Sequence, residues 1–211
     1  MFDRLKKDIA RVKEYDPAAK SAFEIYCCYP GLHAVRSHRR AHKHYVKGHY
    51  FWARLISQRS RKKTGIEIHP GATIDEGLFI DHGSGIVIGE TTVIGKNCVI
   101  YQGVTLGGTG KETGKRHPTL GDNVMVGSGA RVLGPVNIGN NVKIAAGAVV
   151  LHDIPDNCTA VGVPARVVRR DGVKITQDLD QIHIPDPVAQ EINRLEQKIA
   201  ELERKIENEG L

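Results

Sequence analysis

The stretch Val87-Ile-Gly-Glu-Thr-Thr-Val-Ile-Gly-Lys-Asn-Cys-Val-Ile100 decides the fold, because an aliphatic residue returns in it every sixth position. The same phase runs from Ile68 to Val150, through a two-residue slip at 82–86 and an insertion at 107–119. A period of six fits neither the 3.6-residue turn of a helix nor the two-residue repeat of a flat strand. A sandwich of short strands would show period-two alternation, which is missing here. The repeat therefore predicts a triangular solenoid with stacked aliphatic side chains inside.

Composition places the chain among ordinary globular proteins. Its 211 residues are 40% hydrophobic and 26% charged, which excludes wholesale disorder. It contains no apolar run long enough for a transmembrane helix, and no apolar stretch follows the charged amino-terminal residues as it would in a secretory signal. The 4 cysteines form no Cys-x-x-Cys motif, so neither a zinc knuckle nor a disulfide framework is indicated. We expect a cytoplasmic protein.

Charge and periodicity divide the chain into segments. Residues 1–65 carry 16 Lys and Arg against 5 Asp and Glu and are predicted to be helical. The solenoid is predicted over 66–170, with a protruding loop at 107–119. A linker at 171–185 precedes a coiled-coil helix at 186–211, where Ile192, Leu195, Ile199, Leu202 and Ile206 alternate at spacings of three and four. The alternative is a single amphipathic helix packed on its own chain.

Six ordered motifs carry a family resemblance. They are Ile66-Glu-Ile-His-Pro70, Ile80-Asp-His-Gly83, Val87-Ile-Gly-Glu90, Thr105-Leu-Gly-Gly-Thr-Gly-Lys111, Arg116-His-Pro118 and Ala160-Val-Gly-Val-Pro-Ala-Arg166. Together with the Ile-Gly-x-x-x-Val hexads they resemble the serine O-acetyltransferases, a family of hexapeptide-repeat acyltransferases, from about Asp16 to Arg170. The resemblance implies a left-handed parallel β-helix, homotrimers, L-serine as acceptor, acetyl-coenzyme A as co-substrate, no metal, and a place in cysteine biosynthesis.

Acetyl transfer to an alcohol needs a base, because a hydroxyl that keeps its proton is a poor nucleophile. His82 can take this role, since imidazole titrates near neutrality, and it matches the family's base. The alternative for His82 is a structural turn histidine. Asp81 precedes it, and Glu67 aligns with the family's supporting aspartate, one methylene longer here. The alternative for Glu67 is a surface glutamate at a coil corner.

The resemblance assigns both charged ends of the serine substrate. Carboxylates at Asp16 and Asp81 match the positions that bind its ammonium group, and Arg116 with His117 matches those that bind its carboxylate. The planar fork of an arginine suits a carboxylate. Glu90 matches an acidic position with a supporting role. Asp16 also precedes Pro17, an arrangement typical of a helix N-cap.

The insertion is glycine-rich without matching a nucleotide-binding loop, because the Gly-x-x-x-x-Gly-Lys-Ser/Thr spacing and a following helix are both missing. In the family, groups at this insertion and along the later coils hold coenzyme A. The matching positions here are Gly108, Thr109, Ser128, Lys143 and Ala146.

The stretch 33–49 is dense in histidine and basic residues. It is interpreted first as a solvated basic helix face, with attraction for coenzyme A phosphates, or a metal or nucleic acid, as alternatives. We expect neither nucleic acid nor membrane as a partner. In the family, carboxy-terminal tails that end in isoleucine bind the next enzyme of cysteine synthesis. This chain ends Glu209-Gly-Leu211 and so departs from the pattern expected for that partner.

Three other functions compete. A related hexapeptide acyltransferase could use a sugar, an antibiotic or homoserine. A zinc enzyme similar to γ-carbonic anhydrases would use His69, His82 and His117 as ligands. A non-catalytic trimeric scaffold would need neither the Asp-His nor the Arg-His pair.

Overall fold

The computed structural model describes residues 2–110, 113–174 and 198. Four helices come first: α1 Phe2–Tyr15, α2 Ala22–Cys28, α3 Pro30–Tyr45 and α4 Tyr50–Thr64. Short strands follow: β1 Glu67–Ile68, β2 Thr73–Ile74, β3 Phe79–Ile80, β4 Val87–Ile88, β5 Val93–Ile94, β6 Val99–Ile100, β7 Thr105–Gly107, β8 Thr119–Leu120, β9 Met125–Val126, β10 Arg131–Leu133, β11 Asn137–Ile138, β12 Lys143–Ile144, β13 Val149–Val150, β14 Cys158–Val161, β15 Arg166–Arg170 and β16 Val173–Lys174.

The strands build three parallel sheets, one for each side of a triangular coil. The first sheet stacks β1, β4, β7, β10 and β13, the second β2, β5, β8 and β11, and the third β3, β6, β9, β12 and β14. Hexad positions are in register: Ile88 pairs with Ile68 on one side and with Leu106 on the other. These aliphatic side chains are almost fully buried. The prediction of a β-helix with a continuous stacked core is confirmed.

Each coil turns at three corners. The first corner follows β1, β4, β7 and β10, the second follows β2, β5, β8 and β11, and the third follows β3, β6, β9 and β12. The second corner carries asparagines in the left-handed region, and Asn141 donates its side-chain amide to Asn157 at 2.9 Å. Asparagine tolerates this conformation better than most residues. The site residues predicted from the sequence lie mainly at the first and third corners.

The two-residue slip enlarges the third corner of the first coil. Ser84 is exposed there, and Ile86 takes the inward position that the unbroken hexad would have given to Ser84. His82 adopts a left-handed backbone with φ of 56°. A residue with a Cβ is disfavoured in this region, and such conformations cluster at functional sites.

The helices pack against the β-helix. Gly31 of α3 allows the closest approach, because a Cβ there would overlap the Ile80 carbonyl of β3. In α4, the buried Ser57 hydroxyl donates to the Ile68 carbonyl at 2.7 Å. A second apolar cluster joins the helices to the third sheet through Val12, Ile25, Leu32, Phe79 and Val99. The described residues from Phe2 to Lys174 belong to one compact unit.

The structure gives the limits of the helical segment and of the β-helix. The amino-terminal segment is helical as predicted, and its last helix ends at Thr64. At the other end, β15 and β16 add an antiparallel hairpin to β14, so regular structure continues four residues beyond position 170. The rest of the predicted linker and the predicted coiled coil lie outside the described residues, Lys198 excepted, and stay predictions. No helix in the described part of the chain is long and apolar enough to cross a membrane.

The basic stretch is not simply a solvated face. Leu32, Val35, His38 and Ala41 are buried, and His42 Nδ1 lies 2.8 Å from the Pro70 carbonyl oxygen. Arg39 forms a two-pronged ion pair with the buried Asp8 of α1, with its second bond at 2.9 Å. Part of this stretch therefore anchors α3, and the remaining cations face outward.

We predict that acid weakens this anchor. Burial lowers the pKa of His38 to about 3, and the nearby His42 adds to the shift. Because the unfolded histidine titrates near 6.5, unfolding takes up a proton below that pH, and stability is lost as pH falls from about 6.5 toward 3. At pH 5 the loss should be about 2 kcal/mol relative to neutral pH. Denaturant titrations at several pH values would measure it.

His38→Leu supplies the comparison, because leucine does not titrate. The slope of unfolding free energy against pH between 6.5 and 5 should be shallower in this variant. His152→Leu, a replacement at an exposed position of the β-helix, is measured in parallel as the control. Equal slopes in the wild type and His38→Leu would contradict the assignment.

Candidate active site

The third corner of the first coil presents the predicted base. His82 is 75% exposed in its side chain, and its Nε2 lies 3.9 Å from the Asp81 carboxylate, too far for a hydrogen bond. The backbone closes tightly beneath it, since Gly83 N–H donates to the Asp81 carbonyl at 2.6 Å. The imidazole therefore projects from the corner with its ring open to a substrate.

Asp16 joins the same corner from the chain after α1. Its Oδ2 accepts a 2.6 Å hydrogen bond from the Tyr29 hydroxyl, and its Oδ1 accepts one from Ala18 N–H at 2.8 Å. These two bonds lower the pKa of Asp16, and the proximity of His82 lowers it further. The bond to Asp16 raises the pKa of Tyr29 to about 12. A carboxylate thus stays ionised close to His82.

The predicted N-cap at Asp16 is wrong. Asp16 lies at the carboxyl end of α1, and its carboxylate closes a local turn onto Ala18. The cap of α2 is Ser21, whose hydroxyl accepts from Glu24 N–H at 3.1 Å. The Asp-Pro pair is found both at helix N-caps and in turns. Only the path of the following residues shows whether a helix begins there.

Glu67 lies at the start of β1 and is partly buried. Its Oε2 lies 3.1 Å from Arg61 Nε in a salt bridge, so in this chain the carboxylate is paired with α4. No hydrogen bond among the described residues joins Glu67 to His82. The structure therefore leaves the predicted support of the base by Glu67 as a prediction.

The first corner of the second coil gathers a second set of charged groups. Glu90 accepts from the Tyr45 hydroxyl at 2.8 Å and from Arg116 Nη2 at 2.5 Å. The Tyr45 bond, followed by the Arg116 bond, lowers the pKa of Glu90 against the effect of burial. Glu90 thus holds one arm of the Arg116 guanidinium and leaves its other donors available to an anion.

His117 is fixed beside Arg116. Its Nδ1 accepts from Thr91 N–H at 3.2 Å, so the neutral ring carries its proton on Nε2 and can donate from there. Burial, with Arg116 next, lowers the pKa of His117. Gly89 makes room for the ring, because a Cβ at Gly89 would overlap it. The first corner thus offers two adjacent donors to a carboxylate.

The second half of the insertion folds back onto the first corner. Lys115 Nζ donates to the Thr91 carbonyl at 2.8 Å and to the Pro118 carbonyl at 3.2 Å. The Thr91 hydroxyl accepts from the backbone N–H groups of Arg116 and His117, each at 3.1 Å. Three consecutive basic residues are therefore set in place by a single threonine.

The predicted coenzyme A positions divide between two corners. Gly108 and Thr109 lie at the first corner, where Thr109 packs beside Gly134. Ser128 and Ala146 lie at the third corner, where Gly147 N–H donates to the Ser128 carbonyl at 2.8 Å. Lys143 is exposed in β12, at a groove of about 350 Å³.

Within one chain, the two sets of charged groups stay apart. No hydrogen bond or ion pair among the described residues links Asp16, Asp81 or His82 to Glu90, Arg116 or His117. His82 is likewise separated from His69 and His117, so the three histidines of the zinc-enzyme alternative do not converge in a single chain. In the described ranges, no group of three or more His, Cys, Asp or Glu side chains is arranged to hold a metal ion.

Sequence reasoning missed three residues that organise these corners. Tyr29 holds Asp16, Tyr45 holds Glu90, and Thr91 holds Arg116 and His117. Thr91 directly follows the motif that ends at Glu90, so its position was a usable signal. The tyrosines belong to the helical segment, and no periodicity in the sequence connects them to the β-helix.

A parallel β-helix built from hexads, with an exposed Asp-His pair and a separate Arg-His pair, defines a hexapeptide-repeat transferase. Two family descriptions agree: residues 117–152 match "Bacterial transferase hexapeptide (six repeats)" and residues 85–108 match "Hexapeptide repeat of succinyl-transferase". The serine acetyltransferase of Bacillus subtilis strain 168 is 56% identical over 207 residues, which cover 98% of this chain and 95% of that protein. The chain belongs to the serine acetyltransferase family.

Solved structures extend the comparison. Serine acetyltransferase of Neisseria gonorrhoeae in complex with serine superposes with a TM-score of 0.77 at 42% identity, over 80% of this chain and 69% of that one. The enzyme of Brucella abortus strain S19 in complex with coenzyme A gives 0.78 at 43% identity, over 80% and 68%. The structural likeness therefore includes relatives with each of these ligands bound.

Proposed function

We propose that the protein transfers the acetyl group of acetyl-coenzyme A to the hydroxyl of L-serine, giving O-acetyl-L-serine and coenzyme A. The observation that carries the proposal is the charge arrangement of the two corners. Carboxylates flank an exposed imidazole at the third corner, and an arginine and a histidine donor lie at the first corner. This arrangement complements an α-amino acid whose side-chain hydroxyl points at the base.

His82 is proposed as the general base. It accepts the serine hydroxyl proton while the oxygen attacks the thioester carbonyl, and the tetrahedral intermediate collapses by breaking the carbon–sulfur bond. The proton on His82 then passes to the departing thiolate, which leaves as free thiol. Asp81 and Asp16 stabilise the transient imidazolium and bind the ammonium group of serine. In this scheme Glu67 exchanges its Arg61 contact for His82 when substrate binds.

The complete site is proposed to form between subunits. One serine must reach His82 at the third corner and Arg116 at the first corner, and these groups do not meet within the chain. In a closed threefold ring, the third corner of one subunit can face the first corner of the next. The divided coenzyme A positions support the same geometry, since Ser128 and Ala146 share a corner with His82 whereas Gly108 and Thr109 share one with Arg116. We therefore infer a homotrimer with three shared sites.

Arg116 is the observation that favours an amino acid over the acceptors of related transferases. An uncharged sugar has no carboxylate for the free donors of Arg116 to bind. Homoserine carries the same charged ends with one more methylene, so chain length has to exclude it. The product would be consumed by a reaction that displaces acetate with sulfide to make cysteine, in the cytoplasm.

The test follows free thiol released from acetyl-coenzyme A with L-serine, L-homoserine, a sugar or no acceptor. We expect release to depend on L-serine and to be low with the other three. Release that favours a sugar, or that is no higher with L-serine than without an acceptor, would contradict the assignment. Mass spectrometry of the product would locate the acetyl group on the serine oxygen.

We predict that Tyr29→Phe weakens serine binding. Without the tyrosine hydroxyl, Asp16 loses the hydrogen bond that fixes and acidifies its carboxylate. The KM for L-serine should rise about three- to tenfold, with a smaller change in kcat, because the bond orients a binding group. Steady-state kinetics at saturating acetyl-coenzyme A separate the two constants.

Tyr26→Phe is the matched control. Tyr26 belongs to the same helical region, but its partner is the Arg36 guanidinium, which stacks on its ring, and not Asp16. Its serine KM should stay at the wild-type value. Equal KM values for Tyr29→Phe and the wild type would show that Tyr29 does not position Asp16.

A further inference from the structure

A second basic site lies in the helical segment. A groove of about 510 Å³ runs between α3 and α4, with Tyr26 of α2 at its margin. This volume is in the range of small-molecule pockets. Its charged lining residues are Arg36, Arg40, Arg59 and Lys63, with His33 as a titratable neighbour. Among the residues that the structure describes, no acidic side chain lines it.

The groove residues form one stripe on each helix. In α3 they are His33, Arg36, Ser37 and Arg40, and in α4 they are Ile56, Arg59, Ser60, Lys63 and Thr64. Spacings of three and four place each set on one helix face. Arg36 and Arg40 are therefore like charges one turn apart, as are Arg59 and Lys63, an arrangement that destabilises an isolated helix. Packing α3 against α4 brings the two pairs together.

Among the described residues, no carboxylate pairs with the four cations of the groove. The ion pairs among the described residues engage other cations of the segment, such as Arg39 with Asp8 and Arg61 with Glu67, and none engages the four groove cations. The hydroxyl of Ser60 adds a neutral donor to the lining. Convergent cations without an acidic partner gain most from a ligand that brings several negative charges into a small volume.

The groove is separate from the proposed coenzyme A positions in the later coils. α4 leads directly into β1, and α3 contacts β1 and β3, all in the first coil. Ser128 and Ala146 follow β9 and β12, which are stacked two and three layers above β3 in the third sheet. An anion in the groove would therefore lie on the helical side of the fold, away from the coenzyme A positions in these later coils.

We propose that this groove binds a small anion carrying at least two linked phosphate groups, of the pyrophosphate or nucleoside polyphosphate class. Two arginines opposite an arginine and a lysine match a ligand with charge at both ends. The groove does not resemble a nucleic-acid surface, because Tyr26 is the one Phe, Tyr or Trp among the described residues that line it, and Arg36 already stacks on that ring. A single ring covered by an arginine is a poor platform for stacking successive unpaired bases.

Inorganic pyrophosphate is the probe. Its binding is measured by calorimetry at low ionic strength on the intact protein with saturating coenzyme A, so that the transferase site is occupied. The double variant Arg40→Gln/Lys63→Gln should weaken binding about tenfold or more, since it removes one cation from each wall. The control Lys43→Gln/Lys62→Gln removes the same net charge from exposed positions of α3 and α4 outside the groove. It should bind within about twofold of the wild type.

Three results would overturn the proposal. One is no pyrophosphate binding at millimolar concentration, and another is equal weakening in both double variants, which indicates non-specific charge attraction. The third is tight binding of a single-stranded RNA oligonucleotide that Arg40→Gln/Lys63→Gln abolishes while pyrophosphate does not compete. Serine-dependent thiol release is assayed separately on the same proteins. It should be unchanged without pyrophosphate, so failure of the groove proposal would leave the transferase assignment intact.

Discussion

His82→Ala should lower kcat for serine-dependent thiol release about 10²- to 10⁴-fold, the range usual for loss of a general base. His82 is exposed at the third corner, and Asp81 and Asp16 are the carboxylates beside it. Without the imidazole, the serine hydroxyl must lose its proton to water during attack on the thioester. Because the coenzyme A positions and Arg116 are untouched, the affinity for both substrates should change far less than turnover.

His152→Ala is the matched control, since His152 is also an exposed histidine and lies at the opposite end of the β-helix. It should retain wild-type turnover. Circular dichroism and coenzyme A binding would show that the His82 variant is folded. A folded His82→Ala protein that keeps more than about a tenth of wild-type turnover would contradict the role of base.

Mixing two inactive variants should restore activity. Arg116→Ala removes the fork proposed to bind the serine carboxylate and should lower kcat/KM for L-serine about 10- to 10²-fold. If each site takes His82 from one subunit and Arg116 from its neighbour, trimers reassembled from both variants contain sites with neither substitution. In a random equimolar mixture about one quarter of the sites are intact, so activity should recover to about a quarter of the wild-type value.

The measurement requires the two proteins to be dissociated and reassembled together, with each variant treated alone as the control. Recovery in the mixture but in neither control would show that the site is shared. A mixture no more active than the average of the two controls would instead place His82 and Arg116 within one subunit's site. The size of the recovery also reports the fraction of mixed trimers.

Much of the fold could be predicted because the hexad is local. Each aliphatic residue meets its equivalents one coil away, so the periodicity alone fixes which side chains share the core and which strands pair. The insertion and the slip were visible as breaks in that period. The slip drew attention to His82, and the preceding Asp81 and the match to the family's base made it the candidate base.

The structure of the helical segment was harder to predict from the sequence. A basic stretch can be solvated or anchored with the same composition, and the burial of His38 depends on the β-helix surface it meets. The Asp16 turn was mistaken for a cap because the Asp-Pro pair occurs in both. Tyr29 and Tyr45 became functional candidates only when the fold placed their hydroxyls against Asp16 and Glu90.

The sequence by itself determined the β-helix, its core and the residue types available for acyl transfer, because all of these follow from short-range repetition and local motifs. Only the tertiary structure decided that Glu67 is paired with Arg61 and that Glu90 holds Arg116. It also decided that His82 and Arg116 occupy different corners. The physical reason is that corners are set by the three-dimensional path of the coil. Residues far apart in sequence then share a corner, while residues as close in sequence as Asp81 and Glu90 lie at different corners.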